Sequence, residues 1–136
     1  MSAIENNSRR FHIIIDAFGC DDGIISDKAQ VEQIIRNTAK LCGMNIMHGP
    51  VVLEGVPENP GITGFAIIDF SHISVHTFTA EHEVCVDIFS CKPYDYEKVR
   101  NYVMSELNLT QGSVKYVEVK YPKATSLSRV STISPA

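Results

Sequence analysis

The chain has 136 residues, of which 44% are hydrophobic and 21% charged, the composition of one globular domain with its own core. The net charge is −4 and the only adjacent basic pair is Arg9–Arg10, which argues against a nucleic-acid-binding surface. No apolar run approaches the roughly 20 residues of a membrane span and Met1–Arg10 is polar, so we expect a cytoplasmic protein without membrane contact.

The N-terminal part predicts a buried strand followed by a helix. Phe11–Phe18 is rich in Ile and ends at Gly19 and a turn at residues 21–23. Ser26 or Asp27 can cap the helix that follows, and Gly43 ends it. The apolar positions of that helix repeat with helical period: Val31, Ile34, Ile35, Thr38 and Leu41/Cys42.

The rest of the chain predicts more strands than helices. A strand over Asn45–Leu53 is followed by a loop over Glu54–Gly61, which is rich in Gly and Pro. Alternating patterns between Ile62 and Cys91 predict three further strands. A second helix begins near Pro93, with an apolar stripe of Val99, Tyr102, Val103 and Leu107, and a last strand covers Ser113–Tyr121.

This order of elements predicts an α+β fold. Hairpin-length connections between the middle strands indicate an antiparallel sheet, and the two helices pack on one face of it as a two-layer sandwich. The other face needs cover, and we expect a second copy of the chain to supply it in a homodimer. The single domain covers residues 1–121, and residues 122–136 form a flexible tail.

Residues with chemical potential are concentrated between Ile62 and Cys91. Ser71 and His76 have the side chains of a nucleophile and its base, and the Cys91 thiol can act as an acid or a nucleophile. The plain alternative is that Ser71 and His76 are surface residues of a strand and that Cys91 belongs to the core.

The cysteines and histidines do not form a metal-binding pattern. The four cysteines show neither a CxxC pair nor zinc spacing, and we expect free thiols, with Cys20, Cys42 and Cys85 buried. His72, His76 and His82 lack a convincing set of partner ligands, so no metal site is predicted.

Two motifs resemble those of a known family. Residues 71–77 read S-H-I-S-V-H-T and residues 86–91 read V-D-I-F-S-C. They are similar to the signature of the prokaryotic S-adenosylmethionine decarboxylases, E-S-H-h-[ST]-h-H-T-W-P-E and h-D-h-F-[ST]-C, where h is apolar. The spacing from Ser71 to Cys91 matches without a gap, and the resemblance extends over roughly Arg10–Tyr121.

The resemblance implies a self-processing, pyruvoyl-dependent decarboxylase. Ser71 would attack the carbonyl of Phe70, the chain would be cut between the two residues, and Ser71 would become a covalently bound pyruvoyl group. The counterparts of His76 and Thr63 assist processing in the family. The pyruvoyl group forms a Schiff base with the substrate, and the counterpart of Cys91 donates a proton after carbon dioxide has left.

Departures from the family pattern concern the substrate. Phe70 replaces a glutamate before the processing serine, and Ala80 stands where the family has the glutamate that holds the ribose of its nucleoside substrate. The loop over Met47–Gly64 has no aromatic residue to stack on an adenine. We therefore expect a basic amino acid, L-arginine or L-ornithine, as the substrate of an enzyme of polyamine biosynthesis. The carboxylates available to its cationic tail are Asp16, Glu54, Glu58, Glu81 and Glu83, of which Asp16 and Glu81 are the candidate partners.

Two other functions stay open on the sequence. A genuine S-adenosylmethionine decarboxylase would recognise the nucleoside with other residues. A non-processing paralogue would act as a regulatory subunit, although the joint presence of Ser71, His76 and Cys91 argues against it.

Overall fold

The computed structural model describes residues 9–109 and 112–121. These contain six strands and three helices, and the predicted tail, residues 122–136, lies outside the described residues. The strands are β1 (Phe11–Phe18), β2 (Ile46–Glu54), β3 (Ile62–Ile68), β4 (Ser71–Phe78), β5 (Glu83–Ser90) and β6 (Ser113–Val119). The helices are α1 (Asp22–Ile25), α2 (Lys28–Leu41) and α3 (Tyr96–Glu106).

The strands form one antiparallel sheet in the order β2-β3-β4-β5-β1-β6. Short connections join β2 through β5 as neighbouring hairpins, as predicted. The N-terminal strand β1 then lies between β5 and β6, so the first strand in the sequence is an inner strand of the sheet. The predicted α+β fold is confirmed.

Each helix begins at an aspartate whose side chain accepts hydrogen bonds from backbone N–H groups. Asp27 caps α2 and Asp95 caps α3, in agreement with the two predicted helices. The short helix α1 replaces the predicted turn, because the Asp21 carboxylate accepts a hydrogen bond from the N–H of Gly23 at 2.8 Å and so starts a helical turn there.

The core lies between the helices and one face of the sheet. Ile13, Ile15 and Ala17 of β1 are fully buried, and the alternation of buried and exposed residues along β3 is complete. Gly64 of β3 has a packing role, because a Cβ atom there would lie 2.7 Å from Cδ1 of Ile35 on α2. The helix therefore sits closer to the sheet than a side chain at this position would allow.

No helix formed by the described residues packs on the opposite face of the sheet, which we call the open face. Five large apolar residues on this face are at least 40% exposed: Val51, Leu53, Phe65, Ile67 and Val117. Cys85 also points to this face, so it is only half-buried and the prediction that it is buried is wrong. Cys20 and Cys42 are buried as predicted.

Candidate active site

The turn between β3 and β4 carries the predicted cleavage site in an unusual backbone conformation. Ser71 has a φ of 143°, whereas the other non-glycine residues with positive φ among the described ones lie between 52° and 61°. Those values belong to the small left-handed region, but a φ of 143° is almost confined to glycine. Such a conformation costs about 1–3 kcal/mol and persists only where the surroundings hold it.

Phe70, Ser71 and Cys91 meet at this turn. The backbone N–H of Cys91 donates a hydrogen bond of 3.0 Å to the carbonyl oxygen of Phe70, the carbonyl that Ser71 would attack. Cys91 follows the last residue of β5, and its side chain is exposed. The ammonium group of Lys92 lies 5.0 Å from the centre of the Phe70 ring. Three of the predicted site residues are thus neighbours in one chain.

Thr63 and His76 form a separate pair. They face each other across β3 and β4, and Thr63 Oγ1 is hydrogen-bonded to His76 Nδ1 at 3.1 Å. His76 lies five residues beyond Ser71 on the same strand, which separates the two by about 16 Å at the rise of a β-strand. Within one chain the structure does not bring this pair to Ser71.

The two candidate substrate-binding carboxylates lie at the end of the sheet where His76 is found. Asp16 points to the open face and is half-buried, with Cys85 opposite it on β5 and Lys115 opposite it on β6. Because His76 is the other cross-strand neighbour of Cys85, Asp16 and His76 lie in the same row across the sheet. Glu81 is exposed in the turn between β4 and β5.

A pocket of about 300 Å³ opens near the same end. It is formed largely by the Gly- and Pro-rich loop between β2 and β3, and Ser26 and Thr79 complete its wall. Glu54 is its one carboxylate. The pocket therefore contains Glu54, one of the carboxylates that the sequence makes available to a cationic tail.

A polar network on the open face has no counterpart in the sequence predictions. His12 Nε2 lies 2.9 Å from Asp87 Oδ1, His72 Nε2 lies 3.4 Å from the same oxygen, and the Tyr121 hydroxyl lies 2.8 Å from His12 Nδ1. The His72 ring also stacks between Phe65 and Phe89. Alternation places these residues on one face, but only the strand order makes them neighbours.

Burial separates the other thiols from Cys91. It raises the pKa of Cys42 to about 12. Burial also raises the pKa of Cys20, with the charge of Glu83 adding to the effect, and that of Cys85, with Asp16 and then Asp87 adding to it. Such thiols stay protonated and unreactive near neutral pH. The described residues contain no group of three His, Cys, Asp or Glu side chains arranged to hold a metal ion.

Comparison with known proteins identifies the family of the chain. A family described as S-adenosylmethionine decarboxylase matches residues 11–119. The S-adenosylmethionine decarboxylase proenzyme of Methanococcus maripaludis strain C5 is 26% identical over 119 residues, which cover 80% of this chain and 94% of the relative. The proenzyme of Saccharolobus islandicus strain L.S.2.15 is 32% identical over 100 residues, covering 73% of this chain and 75% of the relative.

A solved structure shows the same fold. The crystal structure of the adenosylmethionine decarboxylase from Aquifex aeolicus superposes with a TM-score of 0.65 at 21% identity, over 88% of this chain and 97% of that chain.

The fold and the family match together define the class: a pyruvoyl-dependent carboxy-lyase, whose cofactor is a covalently bound pyruvoyl group made from a serine by self-cleavage of a proenzyme. The chain belongs to the S-adenosylmethionine decarboxylase family. Within the part of the chain that the structure describes, no helix is both long and apolar enough to cross a membrane.

Proposed function

We propose that the chain cuts itself between Phe70 and Ser71 and then decarboxylates a basic amino acid, L-arginine or L-ornithine. The conformation of the β3–β4 turn supports this cleavage site, because Ser71 is strained there and the Phe70 carbonyl accepts a hydrogen bond from the N–H of Cys91. The observation that carries the substrate class is the absence of the family's nucleoside-binding glutamate, replaced by Ala80, and of any aromatic residue in Met47–Gly64.

The cleavage follows from the groups at the turn. Ser71 Oγ attacks the carbonyl carbon of Phe70, and the Phe70–Ser71 amide becomes an ester as the nitrogen takes up a proton. The N–H of Cys91 stabilises the negative charge that develops on the Phe70 oxygen. Loss of the α-proton of Ser71 then expels the Phe70 carboxylate, which cuts the chain. The remaining dehydroalanine hydrolyses with loss of ammonia and leaves the pyruvoyl group.

The position of His76 leads to a site shared between two copies. A base about 16 Å away cannot remove the α-proton of Ser71 in its own chain. The exposed apolar residues of the open face provide a surface on which a second copy can pack. A two-fold axis between the two faces and perpendicular to the strands brings the His76 end of one copy over the Ser71 end of the other.

After cleavage the residues at the turn fit the second reaction. The pyruvoyl group supplies a carbonyl that accepts the electrons left behind by carbon dioxide. Cys91 is next to the turn and its thiol is exposed, so it can return a proton to the substrate α-carbon. Thr63 keeps the His76 ring oriented through its hydrogen bond.

The cationic tail of the substrate needs a carboxylate. In the two-fold arrangement the end that carries Asp16 and Glu81 lies over Ser71 of the other copy, so these carboxylates face the substrate from across the interface. Asp16 is the first choice because it lies in the row of His76 and is half-buried, which strengthens a charged hydrogen bond.

The test has two parts. Denaturing gel and intact mass of the purified protein should show two fragments, with the second beginning at a modified residue 71, and Ser71→Ala should stay whole. Purified enzyme should then release carbon dioxide from arginine or ornithine. A single uncut chain with Ser71 intact would contradict the cleavage and would favour the regulatory paralogue.

A second candidate function is decarboxylation of S-adenosylmethionine itself, which the names of the relatives favour. Two missing substrate contacts of about 1–3 kcal/mol each correspond to a loss of about 30-fold to 10⁴-fold in kcat/KM. We expect S-adenosylmethionine to react more slowly than the basic amino acids by a factor in this range. Turnover of S-adenosylmethionine with none of arginine or ornithine would establish this second function instead.

A further inference from the structure

The turn that carries the cleavage site is held on its N-terminal side by a contact to β2. Asn45, just before β2, and Asp69, two residues before Ser71, share three hydrogen bonds. The N–H of Asp69 donates to the Asn45 carbonyl at 3.0 Å, and the Asn45 backbone N–H and side-chain amide donate to the two Asp69 carboxylate oxygens at 3.1 and 3.0 Å. This closure fixes the backbone that enters the turn.

The C-terminal side of the turn is held by the side chain that follows Ser71. The His72 ring lies nearly parallel to Phe65 and Phe89, with ring centres 5.4 and 5.8 Å away. Its Nε2 is 3.4 Å from Asp87 Oδ1, and Asp87 is itself held by His12 at 2.9 Å. The residue leaving the turn is therefore fixed by rings on two neighbouring strands and by one carboxylate.

A strained residue relaxes unless the residues on both sides of it are fixed. Ser71, with its φ of 143°, stands between these two contacts. We propose that the pairs Asn45–Asp69 and His72–Asp87 are positioning pairs for self-cleavage, which hold Ser71 in the conformation from which it attacks Phe70. This inference rests on the proposed cleavage between Phe70 and Ser71.

The competing explanation is that the two pairs only stabilise the fold. Asn45 and Asp69 are exposed and the His72 side chain is 37% exposed. Exposed hydrogen bonds and ion pairs contribute little to stability. Loss of the Asn45–Asp69 pair should therefore slow cleavage while leaving the thermal midpoint nearly unchanged. Loss of the stacked His72 ring should slow cleavage by more than the accompanying fall in the midpoint explains.

The experiment measures the rate of self-cleavage of freshly translated chain, by denaturing gel, together with the thermal midpoint. Asn45→Ala and Asp69→Ala should each slow cleavage by about tenfold to a hundredfold, and the double variant should be no slower, since both remove one pair. His72→Ala should slow it by a similar factor. The matched controls are Asn101→Ala on α3 and His48→Ala on β2, both exposed residues outside the two pairs.

Hydroxylamine identifies the step that is slowed, because it cleaves an ester much faster than an amide. The positioning pairs act on ester formation, so hydroxylamine should not restore cleavage in the Asp69→Ala and His72→Ala chains. It should restore chain cleavage in His76→Ala, where the ester forms and elimination fails.

Three results would overturn the inference: cleavage of the pair variants at the wild-type rate, slowing that follows a fall in the thermal midpoint, or restoration by hydroxylamine. An uncut wild-type chain would instead overturn the proposed function, and this inference with it.

Discussion

At the scale of single residues, Cys91 differs from the other cysteines in being exposed beside the Phe70 carbonyl. In the proposed reaction its backbone N–H acts in the cleavage step and its thiol acts in the later protonation step. A substitution that keeps the backbone therefore separates the two functions.

We predict that Cys91→Ala cuts itself at close to the wild-type rate but decarboxylates its substrate about 10²-fold to 10⁴-fold more slowly, the range for loss of a general acid. Gel analysis and carbon dioxide release measure the two effects. Cys42→Ala is the control, because the Cys42 thiol is buried at the end of α2, outside the proposed site, and burial raises its pKa to about 12. Full turnover in Cys91→Ala would show that the thiol has no chemical role.

At the scale of elements, the close approach of α2 to β3 depends on Gly64. A Cβ atom at this position would lie 2.7 Å from Ile35 Cδ1 and 2.8 Å from Val31 Cγ1. We predict that Gly64→Ala lowers the free energy of unfolding by about 1–3 kcal/mol, the usual cost of overpacking a core. Urea denaturation measures it, with Thr63→Ala on the exposed face of the same strand as control. An unchanged midpoint would mean that α2 shifts without cost.

The buried thiol of Cys42, at the end of α2, makes the free energy of unfolding fall at alkaline pH. Burial raises the pKa of Cys42 from its ordinary 9.0 to about 12. Below pH 9 the thiol is protonated in both the folded and the unfolded chain, and its contribution to the free energy of unfolding is fully present. Above pH 9 only the unfolded chain ionises, so this contribution falls steadily until about pH 12.

We predict that the wild-type chain loses stability between pH 9 and 11 and that Cys42→Ala loses less. Urea midpoints at each pH measure the slope. Burial also raises the pKa of Tyr94, whose hydroxyl donates to the Ile88 carbonyl at 2.7 Å, so some slope should remain in Cys42→Ala. An identical slope in both proteins would contradict the role of the thiol.

At the scale of the whole molecule, the separation of Ser71 from His76 is the basis of the proposed site shared between two copies. We predict that a His76→Ala chain stays uncut alone but is cut when co-expressed with a Ser71→Ala chain, which supplies an intact His76 across the interface. Mass spectrometry distinguishes the two chains.

The control co-expresses His76→Ala with the double variant Ser71→Ala/His76→Ala, which should leave every chain whole. Two results would refute the shared site: cleavage of His76→Ala on its own at the wild-type rate, or no cleavage in the first mixture.

The sequence by itself determined the local elements and the chemistry. Residues such as Val31, Ile34 and Ile35 define a buried helix face by their spacing, and the strands follow from alternation. The interval from Ser71 to Cys91 carried the family resemblance, since both residues belong to short motifs of unusual composition. The helix α1 was not predicted, because a single hydrogen bond that the Asp21 side chain accepts decides between a turn and a helix there.

Only the tertiary structure decided which residues are neighbours across strands. Alternation assigns a residue to a face of the sheet, but strand order and register depend on contacts between segments far apart in the chain. Strand order and register bring the N–H of Cys91 within hydrogen-bond distance of the Phe70 carbonyl. They also bring Asp87 between His12 and His72. The extended length of β4 keeps His76 away from Ser71, because a strand cannot fold back on itself over five residues.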